Sequence, residues 1–372
     1  MSARGRLGFD VQLLAVTLVL VGLGIFFVFS ASSFMASQKY GQSLHFMVQQ
    51  ILGALAGLAV IAFLVSVKKD FFLEPRFVYG LLGLTGLLLA LCLAMPSVAN
   101  TNRWIVLPGF RFQPSELAKI SLILFLATFI ESRKDSINDK KTLAVIAAVI
   151  AGVVGLVLLE PDFGTAVLLA GLAATVLFLG GVKLRYLAAA GLVGGILFGF
   201  YLVQADYRVE RIQGFLASDK DALGSGYQVT QSMLALGSGG FVGAGLGRST
   251  QKLNFLPFNH TDFIFAILGE ETGLVGTIVT LGLYLFFLWR GLKIALEAPT
   301  PAYKMIAAGI TLAIVAQALM NMSIVLGLGP AKGTPLPLLS YGRSSLVCTL
   351  GAVGILLHIS RKRADTGSTV RI

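Results

Sequence analysis

Long apolar stretches separated by short polar segments dominate this sequence. A transmembrane helix needs about 20 consecutive, mostly apolar residues, and ten stretches of that kind follow one another along the chain. They cover residues 11–30, 45–67, 77–95, 114–130, 142–159, 165–180, 186–203, 262–289, 302–328 and 340–359. The sequence therefore predicts an all-α, polytopic membrane protein with about ten transmembrane helices.

The composition agrees with this fold class. Hydrophobic residues make up 56% of the chain, charged residues 13%, and the mean hydropathy is +0.84, which excludes an ordinary soluble domain with one core. Cys92 and Cys348 both fall inside apolar stretches, so no disulfide framework is expected. No group of residues has the ligand spacing of a zinc site, and no nucleotide-binding fingerprint is present, so we predict no organic cofactor.

The net charge of +11 could suggest a nucleic-acid ligand, but its distribution favours a membrane orientation. If the N-terminus is cytoplasmic, every inner segment carries Lys or Arg, whereas the short outer loops hold only Lys39, Arg103, Arg111 and Lys332. Cytoplasmic loops of membrane proteins are enriched in this way. We therefore expect both termini, including a basic tail at 361–372, on the cytoplasmic side, and no nucleic-acid partner.

One loop, residues 204–261, is much longer than the others and is predicted to be extracytoplasmic. Its glycines flank a short amphipathic piece around residues 228–236. We expect short interfacial helices joined by turns that need positive φ. No separate soluble domain is visible, so we treat residues 1–372 as a single transmembrane domain.

The end of that loop contains the most conspicuous acid. Asp262 comes at the start of an apolar helix, where it could simply cap the free backbone N–H groups. It would also lie at the rim of the membrane near His260, with Glu270 and Glu271 two turns deeper. Acids in a membrane span are costly and are functional candidates by default.

Three other outer segments carry polar side chains. Glu116 and Lys119 lie three residues apart in a span that begins at Pro114, which suits either a self-neutralising pair or an anion site. Asp162 follows Glu160 in a tight turn. The last span is preceded by the proline-held segment 335–342, which contains Ser340, a candidate for substrate binding, and is flanked by Lys332 and Arg343, a pair that would suit a phosphate group.

Five of these segments together resemble the SEDS family, the FtsW/RodA/SpoVE proteins of bacterial cell-wall synthesis. They are FQPSELAKI (112–120), EPDFGT (160–165), GSGYQVTQSMLALGSGG (224–240), LPFNHTDFIFAILGEETGLVG (256–276) and PLPLLSYG (335–342). Residues 243–252, GAGLGRSTQK, look more like FtsW than RodA. One departure is Arg343, where relatives usually have a second glycine.

The resemblance implies a peptidoglycan glycosyltransferase of the bacterial cytoplasmic membrane that polymerises lipid II, paired with a class B penicillin-binding protein that supplies the transpeptidase. The family's essential aspartate matches Asp262. Its Glu and Lys of the QPSE-x-AK motif match Glu116 and Lys119, and its Asp of the PD-x-GT turn matches Asp162.

On this basis we hypothesise that Asp262 is the general base for the acceptor hydroxyl of lipid II, and that undecaprenyl diphosphate leaves from the growing glycan. The leaving-group charge could be stabilised by a divalent cation (Mg²⁺ or Mn²⁺) or by a basic side chain; the candidates are Lys119, Lys332, Arg343, Arg103 and Arg248. A flippase for lipid-linked precursors and a structural scaffold of the division machinery remain alternatives. The acids cluster at the outer rim rather than at the membrane midplane, which favours the enzyme.

Overall fold

The computed structural model describes residues 8–95, 101–107, 110–203, 225–253, 255–329 and 333–369. Within these ranges the chain is almost entirely helical. The described strands are β1 (Ile105–Leu107) and β2 (Phe110–Phe112), which form one antiparallel hairpin. The predicted all-α class is confirmed.

Eleven α-helices lie within the described residues. They are α1 (Val11–Tyr40), α2 (His45–Ser66), α3 (Pro75–Ala94), α4 (Pro114–Ser132), α5 (Lys140–Leu159), α6 (Phe163–Leu179), α7 (Leu184–Val203), α8 (Ser225–Gly239), α9 (Ile264–Leu296), α10 (Pro301–Val325) and α11 (Arg343–Thr369). Each predicted apolar stretch corresponds to one of them, and the predicted amphipathic piece of the long loop is α8. Helix α11 continues into the predicted tail as far as Thr369.

Among the described residues, seven helices are long and apolar enough to cross a membrane by themselves: α1, α2, α3, α5, α9, α10 and α11. Helices α6 and α7 are apolar but have shorter apolar runs. Helix α4 carries Glu116, Lys119 and Glu131, yet most of its side chains are buried against α3, α6 and α10. Its charges are therefore accommodated by protein rather than by lipid.

Close helix contacts are made at glycines. Gly53 and Gly57 of α2 lie four residues apart and face α11, where a Cβ on Gly57 would come 2.3 Å from the Leu350 Cδ1 atom. Only a hydrogen atom fits there, so the two backbones approach closely in the manner of small-residue packing in membranes. Gly53 faces Arg343 in the same way, with 3.3 Å from its built Cβ to the Arg343 Cα atom.

Helix α9 is interrupted at Gly273, whose φ of 66° and ψ of −162° are accessible essentially only to glycine. The part after the break, residues 274–296, is about 35 Å long at 1.5 Å per residue, enough to cross the roughly 30 Å hydrocarbon layer alone. The part before it, residues 264–272, is a separate, shorter piece. Glu270 and Glu271 therefore lie at the break, not within an uninterrupted span.

The chain that follows α8 fills this break. The N–H groups of Ala244 and Gly245 donate to the Glu270 and Glu271 carbonyls at 2.9 and 3.2 Å, and the Leu274 N–H donates to the Gly240 carbonyl at 2.9 Å. The predicted positive φ angles occur at four glycines of this segment, Gly240, Gly243, Gly245 and Gly247. The freed backbone groups of α9 are thus satisfied by the long loop, as a membrane protein requires.

Candidate active site

Asp262 lies in the turn that precedes α9. The helix begins at Ile264, and its cap residue is Phe263, which makes no side-chain capping bond. The prediction that Asp262 could cap this helix is therefore wrong. The last turn of the loop takes Asp262 out of the helix and leaves its carboxyl group partly buried.

The backbone around Asp262 is held by the segment before α11. The Ser340 hydroxyl donates to the Thr261 carbonyl at 2.5 Å and accepts from the Leu336 N–H at 2.8 Å. The Tyr341 N–H donates to the His260 carbonyl at 2.9 Å. Ser340 was predicted to bind substrate; the structure gives it a role in joining two backbone segments, and its binding role stays a prediction.

Two side chains of α10 strengthen this junction. The Asn321 amide donates to the Asp262 carbonyl and to the Thr334 carbonyl, each at 2.7 Å. One turn earlier, the Gln317 amide donates to the Pro335 carbonyl at 3.0 Å. Sequence reasoning missed both residues, although two amide side chains four positions apart in an apolar helix are a signal of interior hydrogen bonding.

Arg103 is the cation beside Asp262. Its guanidinium donates to the Pro161 carbonyl at 2.5 Å and lies 3.8 Å from the Asp162 carboxylate. A Cβ on the exposed Gly333 would come 3.2 Å from Asp262 Oδ2 and 3.6 Å from Arg103 Nη1. Asp262, Arg103 and Asp162 are therefore brought together, next to an exposed residue without a side chain.

Asp162 also has a structural role. Its carboxylate caps α6 by accepting from the Thr165 N–H at 3.2 Å and from the Thr165 hydroxyl at 2.8 Å. The carboxylate is almost fully buried. Helix capping thus fixes an anion next to Arg103, which in turn faces Asp262.

Three groups outside the helices have pKa values that their surroundings shift away from the usual range. Burial raises the pKa of Asp262 to about 7; the Arg103 guanidinium lowers it and the Asp162 carboxylate adds to the rise. Burial and then Asp162 raise the pKa of Glu160 to about 8, against the lowering effect of Arg103. Burial lowers the pKa of His260 to about 4, so this imidazole is neutral near pH 7.

Glu116 and Lys119 form a second polar group deeper in the bundle. The Lys119 ammonium lies 2.9 Å from the Glu116 carboxylate and 2.5 Å from the Gln317 side-chain oxygen. The Ser345 hydroxyl donates to the other Glu116 oxygen at 2.9 Å. The pair lines a small cleft with Pro337, and Gln317 links it to the segment that holds Asp262.

The structure describes two of the three other predicted basic residues, Arg248 and Arg343. Arg248 is exposed, and its N–H donates to the Gly245 carbonyl at 3.1 Å. Arg343 is the first residue of α11 and packs on Gly53, with no left-handed backbone at that position. Lys332 lies outside the described residues.

The described residues do not form a metal site. No group of three or more His, Cys, Asp or Glu side chains within them could hold a metal ion. The positive charge near the Asp162 and Asp262 carboxyl groups is supplied by Arg103. The divalent cation stays a prediction.

The family profile described as cell cycle protein, FtsW/RodA/SpoVE, matches residues 11–365. The chain belongs to this family. It is 39% identical over 357 residues to the probable peptidoglycan glycosyltransferase FtsW of Trichlorobacter lovleyi, which covers 95% of this chain and 93% of that protein. Stage V sporulation protein E of Bacillus subtilis is 37% identical over 356 residues, with coverages of 95% and 97%.

Solved structures of the FtsW/RodA/SpoVE family have the same fold. A chain from a structure described as a peptidoglycan synthase complex that coordinates polymerization and crosslinking superposes with a TM-score of 0.79 at 29% identity, covering 95% of this chain and 98% of that one. The rod shape determining protein RodA of Thermus thermophilus gives 0.71 at 29% identity, with coverages of 95% and 97%. The higher identity to FtsW than to this RodA agrees with the FtsW-like segment 243–252.

The segments that carry the FtsW/RodA/SpoVE resemblance converge in space. His260 and Thr261, just before Asp262, share hydrogen bonds with the segment 335–342, the 160–165 turn reaches Asp262 through Arg103, and the start of α4 reaches α11 through Glu116. Residues 240–245 join them by filling the break in α9. The motifs therefore build one site from distant parts of the chain.

Proposed function

We propose that this protein is a peptidoglycan glycosyltransferase that polymerises lipid II at the outer face of the bacterial cytoplasmic membrane, with both termini in the cytoplasm. The observation that carries the proposal is the partly buried carboxyl group of Asp262, held beside Arg103 where the family's motifs meet. Its pKa of about 7 suits a group that must exchange a proton near neutral pH.

Asp262 is the general base of the reaction. It takes the proton of the acceptor sugar hydroxyl of lipid II while the hydroxyl oxygen bonds to the anomeric carbon of the growing glycan. The bond from that carbon to undecaprenyl diphosphate breaks, and the diphosphate leaves with the bonding electrons, so the configuration inverts. Arg103 is the described cation beside Asp262. It is positioned to stabilise the negative charge of this carboxyl group.

The location of the site favours a lipid-linked donor. The distribution of Lys and Arg supports an extracytoplasmic position for Asp262, where nucleotide sugars and ATP are not expected. A transferase there needs a donor that carries its own leaving group, and a lipid diphosphate meets that need. The apolar surfaces of the helices would hold the prenyl chains.

We propose a class B penicillin-binding protein as partner. The structural relative from a peptidoglycan synthase complex combines polymerization with crosslinking. In such a pair, the helical membrane domain of this chain would polymerise the glycan and the penicillin-binding protein would crosslink it.

The proposal is tested with purified protein, its penicillin-binding partner and fluorescent lipid II in detergent. Wild-type protein should produce glycan polymer, and Asp262→Asn should lower the rate by roughly 10²- to 10⁴-fold with an unchanged thermal midpoint. In proteoliposomes, lipid II translocation without polymer would instead identify a flippase. Full polymer synthesis by Asp262→Asn would remove Asp262 as the base.

A further inference from the structure

We propose that Asn321 is a positioning residue for Asp262, a role that rests on the proposed function. Its side-chain amide ties the peptide carbonyl of Asp262 to the segment 333–335 and thereby holds the carboxyl group in its place beside Arg103. Asn321 does not touch the reacting atoms; it acts through the backbone that carries the base.

The hydrogen bonds define this role. A single NH₂ group has two donors, and here one goes to the Asp262 carbonyl and the other to the Thr334 carbonyl, both at 2.7 Å. The residue after Asp262 begins the turn into α9, and the residue before Thr334 is Gly333, which borders the carboxyl group. Asn321 therefore bridges the two backbone segments that form opposite sides of the site.

The unpaired side-chain oxygen of Asn321 indicates that the amide is not needed for packing. Asn321 is only 1% exposed, and its Oδ1 atom has no hydrogen-bond donor among the described residues. An unpaired buried acceptor is destabilising, and a leucine of similar size would not carry that cost. The two donors explain why an amide occupies this position in an otherwise apolar helix.

A small displacement of Asp262 would change both its geometry and its charge. The charged and titratable groups around it are Arg103, Asp162 and Glu160 from the neighbouring segments and His260 from its own loop. A misplacement of about 1 Å costs up to roughly 100-fold in rate. A looser, better-solvated carboxyl group would also lose part of the burial that raises its pKa.

The test compares Asn321→Leu with the full-length wild type, and uses Ser323→Ala as a matched control. Ser323 lies two residues further along α10, and its hydroxyl bonds only within that helix. Asn321→Ser, which keeps one donor on a shorter side chain, is the second variant if the leucine variant does not fold.

Amide hydrogen exchange tests the bridge without relying on activity. Asn321→Leu should accelerate exchange in both 258–263 and 333–341 while α8 stays as in the wild type, and Ser323→Ala should change neither. Unchanged exchange in both segments would overturn the proposal. This result stands even if the protein does not polymerise lipid II.

Kinetics test the consequence for the reaction. Asn321→Leu should lower kcat by about 10- to 100-fold with a KM for lipid II close to that of the wild type. The acidic limb of its pH profile should move to lower pH, because a base with a lower pKa stays ionised in more acidic solution. A kcat within twofold of the wild type, or an unmoved limb, would contradict the positioning role. Failure of the wild type, or full activity of Asp262→Asn, would refute the proposed function instead.

Discussion

Asp262 and Glu160 are neighbouring acids whose surroundings give them different properties. Asp262 is partly exposed, with a cation beside it and the exposed Gly333 next to its carboxyl group, so it can exchange a proton with a bound molecule. Neither oxygen of Glu160 has a hydrogen-bond donor among the described residues, and its pKa of about 8 keeps the group mostly neutral at pH 7. The sequence marks both as acids near a membrane rim, but only the contacts separate a reactive group from a buried, protonated one.

Arg103 should control the pH at which the enzyme becomes active. The guanidinium lowers the pKa of Asp262, so Arg103→Gln should raise it and leave less of the ionised base at neutral pH. We expect polymerisation to fall by about 3- to 10-fold at pH 6.5 and to recover toward the wild-type rate at pH 8.5. The pH profile of initial rates measures this shift.

Arg111→Gln is the control for this prediction, because Arg111 lies exposed in the same β-hairpin region and pairs with Val106 through the backbone. Its profile should match that of the wild type. A loss of activity in Arg103→Gln that is equal at both pH values would mean that the guanidinium acts on the substrate and not on the charge of Asp262.

At the scale of elements, the break in α9 holds the loop segment that follows α8 in position. Glu270 accepts hydrogen bonds from the Thr250 N–H and hydroxyl, each at 2.8 Å, and Glu271 pairs with Lys252 at 3.0 Å. These two acids therefore hold the chain that leads to Asp262. The sequence predicts one continuous apolar helix with two acids, whereas in the structure the helix stops and restarts at Gly273.

Gly273→Ala should release this loop. A Cβ there would come 2.4 Å from the Gly243 nitrogen, in a backbone conformation that costs a residue with a side chain about 1–3 kcal/mol. We expect a thermal midpoint lower by roughly 5 °C or more and faster proteolysis within 239–253. Differential scanning fluorimetry in detergent and limited proteolysis measure both effects.

Gly282→Ala is the matched control, since it lies in the same helix and its Cβ would meet nothing within 4 Å. Its midpoint and cleavage pattern should equal those of the wild type. Equal behaviour of the two variants would show that the break does not depend on glycine at position 273.

At the scale of the whole molecule, hydrophobicity alone predicts the ten apolar helices, because each helix needs about 20 mostly apolar residues to cross the lipid bilayer. Hydrophobicity does not predict which helices pack against one another. Helix α4 carries three charges but is an interior helix, and α2 packs on α11 through Gly53 and Gly57. The residues that bridge distant segments, Gln317 and Asn321, were missed for the same reason: their partners are backbone carbonyls that only the tertiary structure brings close.

The orientation of the bundle is predicted from the distribution of Lys and Arg between the loops, and it can be measured directly. In a background without Cys92 and Cys348, Ser37→Cys near the end of α1 should react with a membrane-impermeant maleimide in intact cells, because that end is predicted to face outward. Lys134→Cys, between α4 and α5, should react only after the membrane is permeabilised. Both positions are exposed, so a difference in labelling reports sidedness and not burial. The reverse pattern would put Asp262 in the cytoplasm, where a lipid-linked donor would no longer be required by its location.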